Sequence, residues 1–206
     1  MLKVWGRPNS VNVQKVMWTV AELGLAHEHI VVVGEHGGND EDWYLAMNPN
    51  GRVPCIQDGD FVLYESNAIV GYLAEKYGAG GLWPDTIEDR ALANLWMDWQ
   101  QTTLSPAMVP AFWQLIRTPP EARNQVAIEE GGAACATLYE QLDGCLDGKS
   151  YFVAERFTVA DIPLGAMTYR WFGLDVPHPD VPNVRAWYER LCERPAYRQH
   201  VMLPIT

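Results

Sequence analysis

The sequence predicts two structural units, an α/β unit over residues 1–79 and an all-helical unit over residues 86–206. Three observations carry this. Strand-like runs rich in β-branched and aromatic residues all fall before residue 65. No strand signal appears beyond residue 85, where the sequence reads as successive helices. Between them lies Gly78-Ala79-Gly80-Gly81 followed by Leu82-Trp83-Pro84-Asp85, a stretch that suits a linker.

The elements follow in order. Leu2–Gly6 reads as a short strand and RPNSVN as the turn after it. Val13, Val16, Met17, Val20 and Leu23 recur at three- and four-residue steps, so a helix is expected there, closed by Gly24. His29–Val33 reads as a second strand, GEHGGND as a loop, and DWYLAMNPNG as a short helix ending in a turn. Cys55–Gln57 and Phe61–Tyr64 flank Asp58-Gly59, a hairpin signal. Ser66 opens a helix whose apolar stripe is Ile69, Val70, Tyr72, Leu73 and Tyr77. The first unit therefore runs β-α-β-α-β-β-α. In the second, a long helix over 86–117 is expected to bend near Pro106 and Pro110. Further helices are expected over 120–146, Thr158–Trp171 and Pro182–Leu191.

Charge narrows the partners. Fifteen basic against 26 acidic side chains give a net charge of −11, which repels nucleic acid and anionic membranes. An anionic ligand would need donors and cations placed locally against that field. Cys55, Cys135, Cys145 and Cys192 show neither CxxC nor zinc spacing, so reduced, mostly buried thiols and no metal are expected. The start of the chain does not read as a signal peptide, and no run is long enough to span a membrane. A cytoplasmic protein is expected.

The most informative segment is NPNGRVPCIQDGDFVLYESNAIVGYL, residues 48–73. Proline cannot donate to a ladder, so Pro54 at the start of a strand suits a cis bond at a tight turn. Val53 N–H and C=O then face away from the sheet, free to pair with an extended peptide. Glu65-Ser66 opens a helix, whose free N–H groups favour an anion. On these residues alone, a plain turn at Pro54 and a plain cap at Ser66 remain open.

This segment, the β-α-β-α-β-β-α order and the all-helical remainder resemble the glutathione transferase family over essentially the whole chain. The resemblance implies a thioredoxin-like N-terminal domain that binds glutathione and a helical-bundle C-terminal domain. It implies that Val53 and Pro54 form the backbone clamp and its cis-proline, and that Glu65 and Ser66 hold the γ-glutamyl end. It also implies that Thr158 and Asp161, in FTVADIPLG, form a buried helix cap with a structural role; the residues alone read as a capping box.

Family members place the thiol-activating group in the turn that is GRPNSVNVQKV here. There is no tyrosine in this turn and no cysteine before Cys55. Ser10 resembles the serine of theta- and delta-like classes. Ser10 with Asn12 also resembles the T-x-N of a bacterial and fungal group with disulfide-reductase activity. A hydroxyl at ~3 Å stabilises the thiolate over the thiol and so lowers the thiol pKa. Ser10 is the favoured donor, Asn12 an alternative, and simple capping of the following helix a third reading.

Arg52 and His36 are candidates for the glycyl carboxylate, and Arg7 for the cleft mouth. Lys15 reads as a surface lysine; His27, His29, His178 and His200 carry no role. A hydrophobic electrophile is expected against Trp99, Thr103, Met108, Phe112 and Trp113. The activity expected is conjugation of glutathione to that electrophile, a detoxification chemistry. Glutathione-dependent disulfide or peroxide reduction and non-catalytic binding are the alternatives. The family resemblance implies a homodimer.

Overall fold

The computed structural model describes all 206 residues, apart from the side chain of Glu35. Its first unit contains β1 (Leu2–Trp5), α1 (Val11–Glu22), β2 (His27–Ile30), α2 (Asp42–Leu45), β3 (Cys55–Asp58), β4 (Phe61–Tyr64) and α3 (Ser66–Tyr77). The sheet order is β2-β1-β3-β4. Strand β1 runs parallel to β2 and antiparallel to β3, with Val4 opposite Ile56 and Trp5 opposite Cys55. Alternation then assigns the faces. Val4 and Ile56 pack with Val13, Val16, Ile69 and Leu73 under α1 and α3. Trp5 and Cys55 pack on the other side with Val32 and Tyr44. This is the expected thioredoxin-like arrangement.

Two expectations fail here. Strand β2 spans His27–Ile30, not residues 29–33. Its register begins with Leu2 opposite His27, and Gly6 N–H bonds Ile30 C=O at 2.9 Å, where the ladder ends. Val33, at φ 81°, turns the chain away. Tyr77 is exposed, not part of the apolar stripe; its hydroxyl donates to Asp58 at 2.7 Å, which also accepts from Tyr72 and Lys76.

The second unit contains α4 (Ile87–Trp99), α5 (Ser105–Phe112), α6 (Gln125–Cys145), α7 (Asp161–Phe172), α8 (Pro182–Cys192) and α9 (Pro195–His200). The expected helix over 86–117 is one run of four stretches, α4 and α5 alternating with π-helical turns at Gln100–Leu104 and Trp113–Arg117. Pro106 and Pro110 lack the N–H groups that would continue an α-ladder through this region. Helix α9 was not expected, because six residues are too few to show a periodicity.

The larger core joins the units. Trp18 of α1 and Val70 and Ala74 of α3 belong to the same buried cluster as Trp171, Trp187 and Leu191. At the start of α7, Asp161 N–H bonds Thr158 C=O at 3.1 Å, so Thr158 begins one tighter turn before the helix proper. Asp161 is fully buried; its carboxylate accepts from Thr158 N–H at 2.8 Å and Trp187 Nε1–H at 2.9 Å. Burial pushes its carboxyl up to about 6 against the pull of those donors.

Candidate active site

The first loop presents Ser10 at the N-terminus of α1. Ser10 has φ −78° and ψ 124°, and its C=O accepts Gln14 N–H at 2.9 Å. Its hydroxyl makes no capping bond, so the side chain is not spent on the helix end. Asn12, two residues further, is exposed, but its Oδ1 accepts from Ser66 Oγ–H at 3.3 Å. That contact ties the first loop to the start of α3.

The Val53–Pro54 bond is cis, as expected from the sequence. The turn before it is pinned through Arg52 C=O, which accepts from Tyr44 Oη–H and Asn48 Nδ2–H, each at 2.7 Å. Among the described residues neither backbone polar group of Val53 has a partner. Glycine at position 6 lets α1 and this turn close on each other. A Cβ there would lie 2.4 Å from Val13 Cγ2 and 3.1 Å from Val53 Cβ.

Glu65 precedes α3 with φ 72°, a left-handed conformation that costs a residue with a side chain of order 1–3 kcal/mol. Such strain concentrates at ligand clamps. Ser66 follows, buried in the first turn of α3, where backbone N–H groups are free for an anion.

Beneath Ser66 lies a group that sequence reasoning misplaced. Lys15 is not on the surface; it is 1% exposed. Its Nζ donates to Gln100 Oε1 at 2.7 Å, Asn67 Oδ1 at 3.2 Å and Ser66 Oγ at 3.4 Å. Asn67 in turn donates to Met97 C=O at 2.6 Å. Burial brings the ammonium down to about 7, while nearby Glu65 raises it and Arg170 lowers it. A signal was available. Trp18 falls off the Val13/Val16/Met17/Val20 stripe, so α1 has a second buried face, and Lys15 lies three residues before Trp18 on it.

The remaining candidates separate. His36 sits in a 3₁₀ turn, Gly34–His36, and lines a cavity of about 580 Å³ together with Arg7, Asn9, Arg117 and Pro204. Arg52 is exposed. Met108, Phe112 and Trp113 meet around a second cavity of about 190 Å³ with Val11, Met167 and Arg170. Trp99 does not join them. It packs against Trp96 and lines a different cavity with Leu142 and Cys145. Thr103 lines neither of the two cavities beside the first loop. The helix explains this: Met108 and Phe112 are four apart on one face, whereas nine residues, about two and a half α-turns, separate Trp99 from Met108.

His27, His29 and His178 each bond a backbone carbonyl, those of Leu25, Gly6 and Trp171. Cys55 is buried on the core side of β3, where burial pushes its thiol up to about 11. Cys135 is also buried, Cys192 half-buried and Cys145 exposed; all four are free thiols. Among the described residues no group of three His, Cys, Asp or Glu side chains could hold a metal, and no helix is long and apolar enough to cross a membrane.

Comparison with known proteins agrees with this fold. Residues 9–76 match the glutathione S-transferase N-terminal domain and residues 104–195 the glutathione S-transferase C-terminal domain. The glutathione S-transferase GstB of Escherichia coli strain K12 is 44% identical over 208 aligned residues, covering 100% of each chain. Glutathione S-transferase 3 of Zea mays is 32% identical, covering 97% of this chain and 93% of its own. The crystal structure of a theta class glutathione S-transferase from Xanthomonas axonopodis pv. citri, with glutathione bound, superposes with a TM-score of 0.95. It is 42% identical and covers 100% of this chain and 99% of its own.

Proposed function

The chain belongs to the glutathione S-transferase family, and from that premise we propose that it joins the glutathione thiolate to an electrophilic carbon, with Ser10 as the thiolate's hydrogen-bond donor. The observation that carries the assignment of Ser10 is its hydroxyl, left unused at the N-terminus of α1. Asn12 Oδ1 accepts from Ser66, which leaves its Nδ2–H2 as the alternative donor to the thiolate.

The residues divide the work by chemistry. The unpaired N–H and C=O of Val53 suit the main chain of the tripeptide's central residue. The start of α3, with Ser66 and the constrained Glu65, suits the charged amino-acid head. His36 and Arg52 are the candidates for the glycyl carboxylate. With the tripeptide laid along these groups, its sulfur falls beside the first loop. There the Ser10 hydroxyl and the positive end of α1 favour the anion. The thiolate attacks carbon, a C–S bond forms, and the leaving group departs with its electron pair. The cavity holding Met108, Phe112 and Trp113 offers an apolar wall for the electrophile.

We place the boundary between the glutathione-binding unit and the helical unit between residues 79 and 86. A homodimer in the cytoplasm with a detoxifying role is the setting the family suggests; four free cysteines accord with a reducing compartment. The test is Ser10→Ala with 1-chloro-2,4-dinitrobenzene. The rate of conjugation is expected to fall about 10²-fold or more, as when an oxyanion donor is removed. The KM for glutathione should change little. An unchanged rate would exclude Ser10 as the donor.

A further inference from the structure

Three guanidiniums from distant parts of the chain converge on the loop after β1. Arg7 and Arg117 line the 580 Å³ cavity. Arg7 Nη1 lies 3.4 Å from Asn9 Oδ1, and Arg170 Nη2 donates to Asn9 C=O at 2.7 Å, so Asn9 holds the two side chains close. Arg170 is 8% exposed, lies over the Phe112 ring at 4.8 Å, and also lines the adjoining apolar cavity.

None of the three has a carboxylate partner among the described residues. Lys76, Arg156 and Arg194, by contrast, are each paired with an acid. Arg7 Nε is buried with no hydrogen-bond partner at all. Among the described residues no acidic side chain lines the cavity; its wall beside the arginines comes from Pro8, Val33, His36, Leu203, Pro204 and Thr206. Burial and mutual repulsion hold Arg7 and Arg170 below the ordinary guanidinium range, Arg170 at about 10. Gathering three cations without an acid, Arg7 and Arg170 of them out of full contact with water, costs free energy, and the cost falls on a chain whose net charge of −11 offers many acids that could have been placed there. A bound anion removes the cost.

We propose that this cavity is a subsite for a carboxylate carried by the electrophile. The proposal adds an anionic end to the apolar body of the expected substrate. Arginine forks match a carboxylate with paired N–H donors, and Arg170 joins the charged cavity to the apolar one. The body of the substrate lies against Met108 and Phe112, its carboxylate toward Arg7 and Arg117, its reactive carbon near Ser10. This rests on the transferase reading above.

A matched pair of benzylic bromides tests it, 4-(bromomethyl)benzoate and its methyl ester. In each the glutathione thiolate forms a C–S bond at the benzylic carbon and bromide leaves with the electron pair. After subtraction of the uncatalysed rates, kcat/KM for the acid is expected to exceed that for the ester about tenfold or more, the worth of one charged hydrogen bond. Arg117 is exposed, so Arg117→Met should fold; it is expected to bring the acid-to-ester ratio down about tenfold, as should 1 M NaCl. Arg7→Gln should act in the same direction. A wild-type enzyme that turns over the ester and 1-chloro-2,4-dinitrobenzene but does not prefer the acid overturns the proposal and leaves the transferase reading intact. A ratio unchanged in Arg117→Met, with a raised KM for glutathione, assigns the guanidiniums to the glycyl carboxylate and also overturns it. No turnover of any electrophile, with no glutathione uptake by calorimetry, defeats the transferase reading and this proposal with it.

Discussion

Replacing Lys15 by methionine removes the one ammonium buried beneath the start of α3 and keeps the length of the side chain. In the folded protein burial lowers that ammonium from 10.5 to about 7. Unfolded, it regains its ordinary value. Between about pH 7 and 10.5 the unfolded chain therefore binds one proton more than the folded one, so stability rises with pH across that window. The fall spans about 3.5 pH units, which sets a ceiling of about 5 kcal/mol, approached at up to about 1.4 kcal/mol per pH unit. Below pH 7 the folded protein bears the whole cost of the buried charge; above 10.5 it bears none. The assay is urea unfolding of both proteins, without ligand, at pH 7, 8 and 9. The wild type should gain on Lys15→Met by about 1 kcal/mol or more at each step. The variant is also left with Gln100 Oε1 and Asn67 Oδ1 unpaired, a fixed cost of about 1–3 kcal/mol per buried group that does not vary with pH. Two stability curves that run parallel from pH 7 to 9 would refute the reasoning, because they would mean that Lys15 keeps its ordinary affinity for protons inside the fold.

The other expectations can be checked with the same material. Ser66→Ala and Glu65→Gln should each raise the KM for glutathione about tenfold or more, through lost charged hydrogen bonds, and lower kcat less; initial rates at varied glutathione decide. An anionic head at the start of α3 should draw a proton onto Lys15, so S-methylglutathione, which has no thiol proton to release, should take up a proton on binding near pH 8. Calorimetry in buffers of different ionisation enthalpy reads this directly. Asp161→Asn should destabilise by about 1–3 kcal/mol, since an amide cannot accept every bond the carboxylate receives. Because the folded Asp161 carboxyl is raised from 3.8 to about 6, the wild type should lose stability relative to that variant as pH rises from about 4 to 6. Gly165→Ala places a Cβ 2.6 Å from Leu191 Cδ1 and 3.1 Å from the Trp18 ring, and should cost about 1–3 kcal/mol in thermal or urea unfolding.

What could be read from the sequence was local. The Asp58-Gly59 hairpin, the turn at Pro54 and the helix from Ser66 are fixed by residues within a few positions of one another, and they lie where expected. What failed depended on partners far along the chain. The end of β2 is set by the length of β1 and by Gly6, not by the apolar run His29–Val33. Lys15 is buried because Gln100, 85 positions away, closes over it. The meeting of Arg7, Arg117 and Arg170 spans more than half the chain, and no periodicity reports on it. Trp99 was expected at the cleft from its position along the first long helix, while helical geometry put it on another face.

Helix α1 is held on both sides. Val13, Val16 and Val20 anchor it to the sheet, and Trp18 anchors it among the helices of the second unit, in edge contact with Tyr197. Neither half can come apart without stripping the same helix from its bed, so differential scanning should record a single melting endotherm. A ligand seated at the mouth of α1 should move that endotherm upward as a whole, without splitting it.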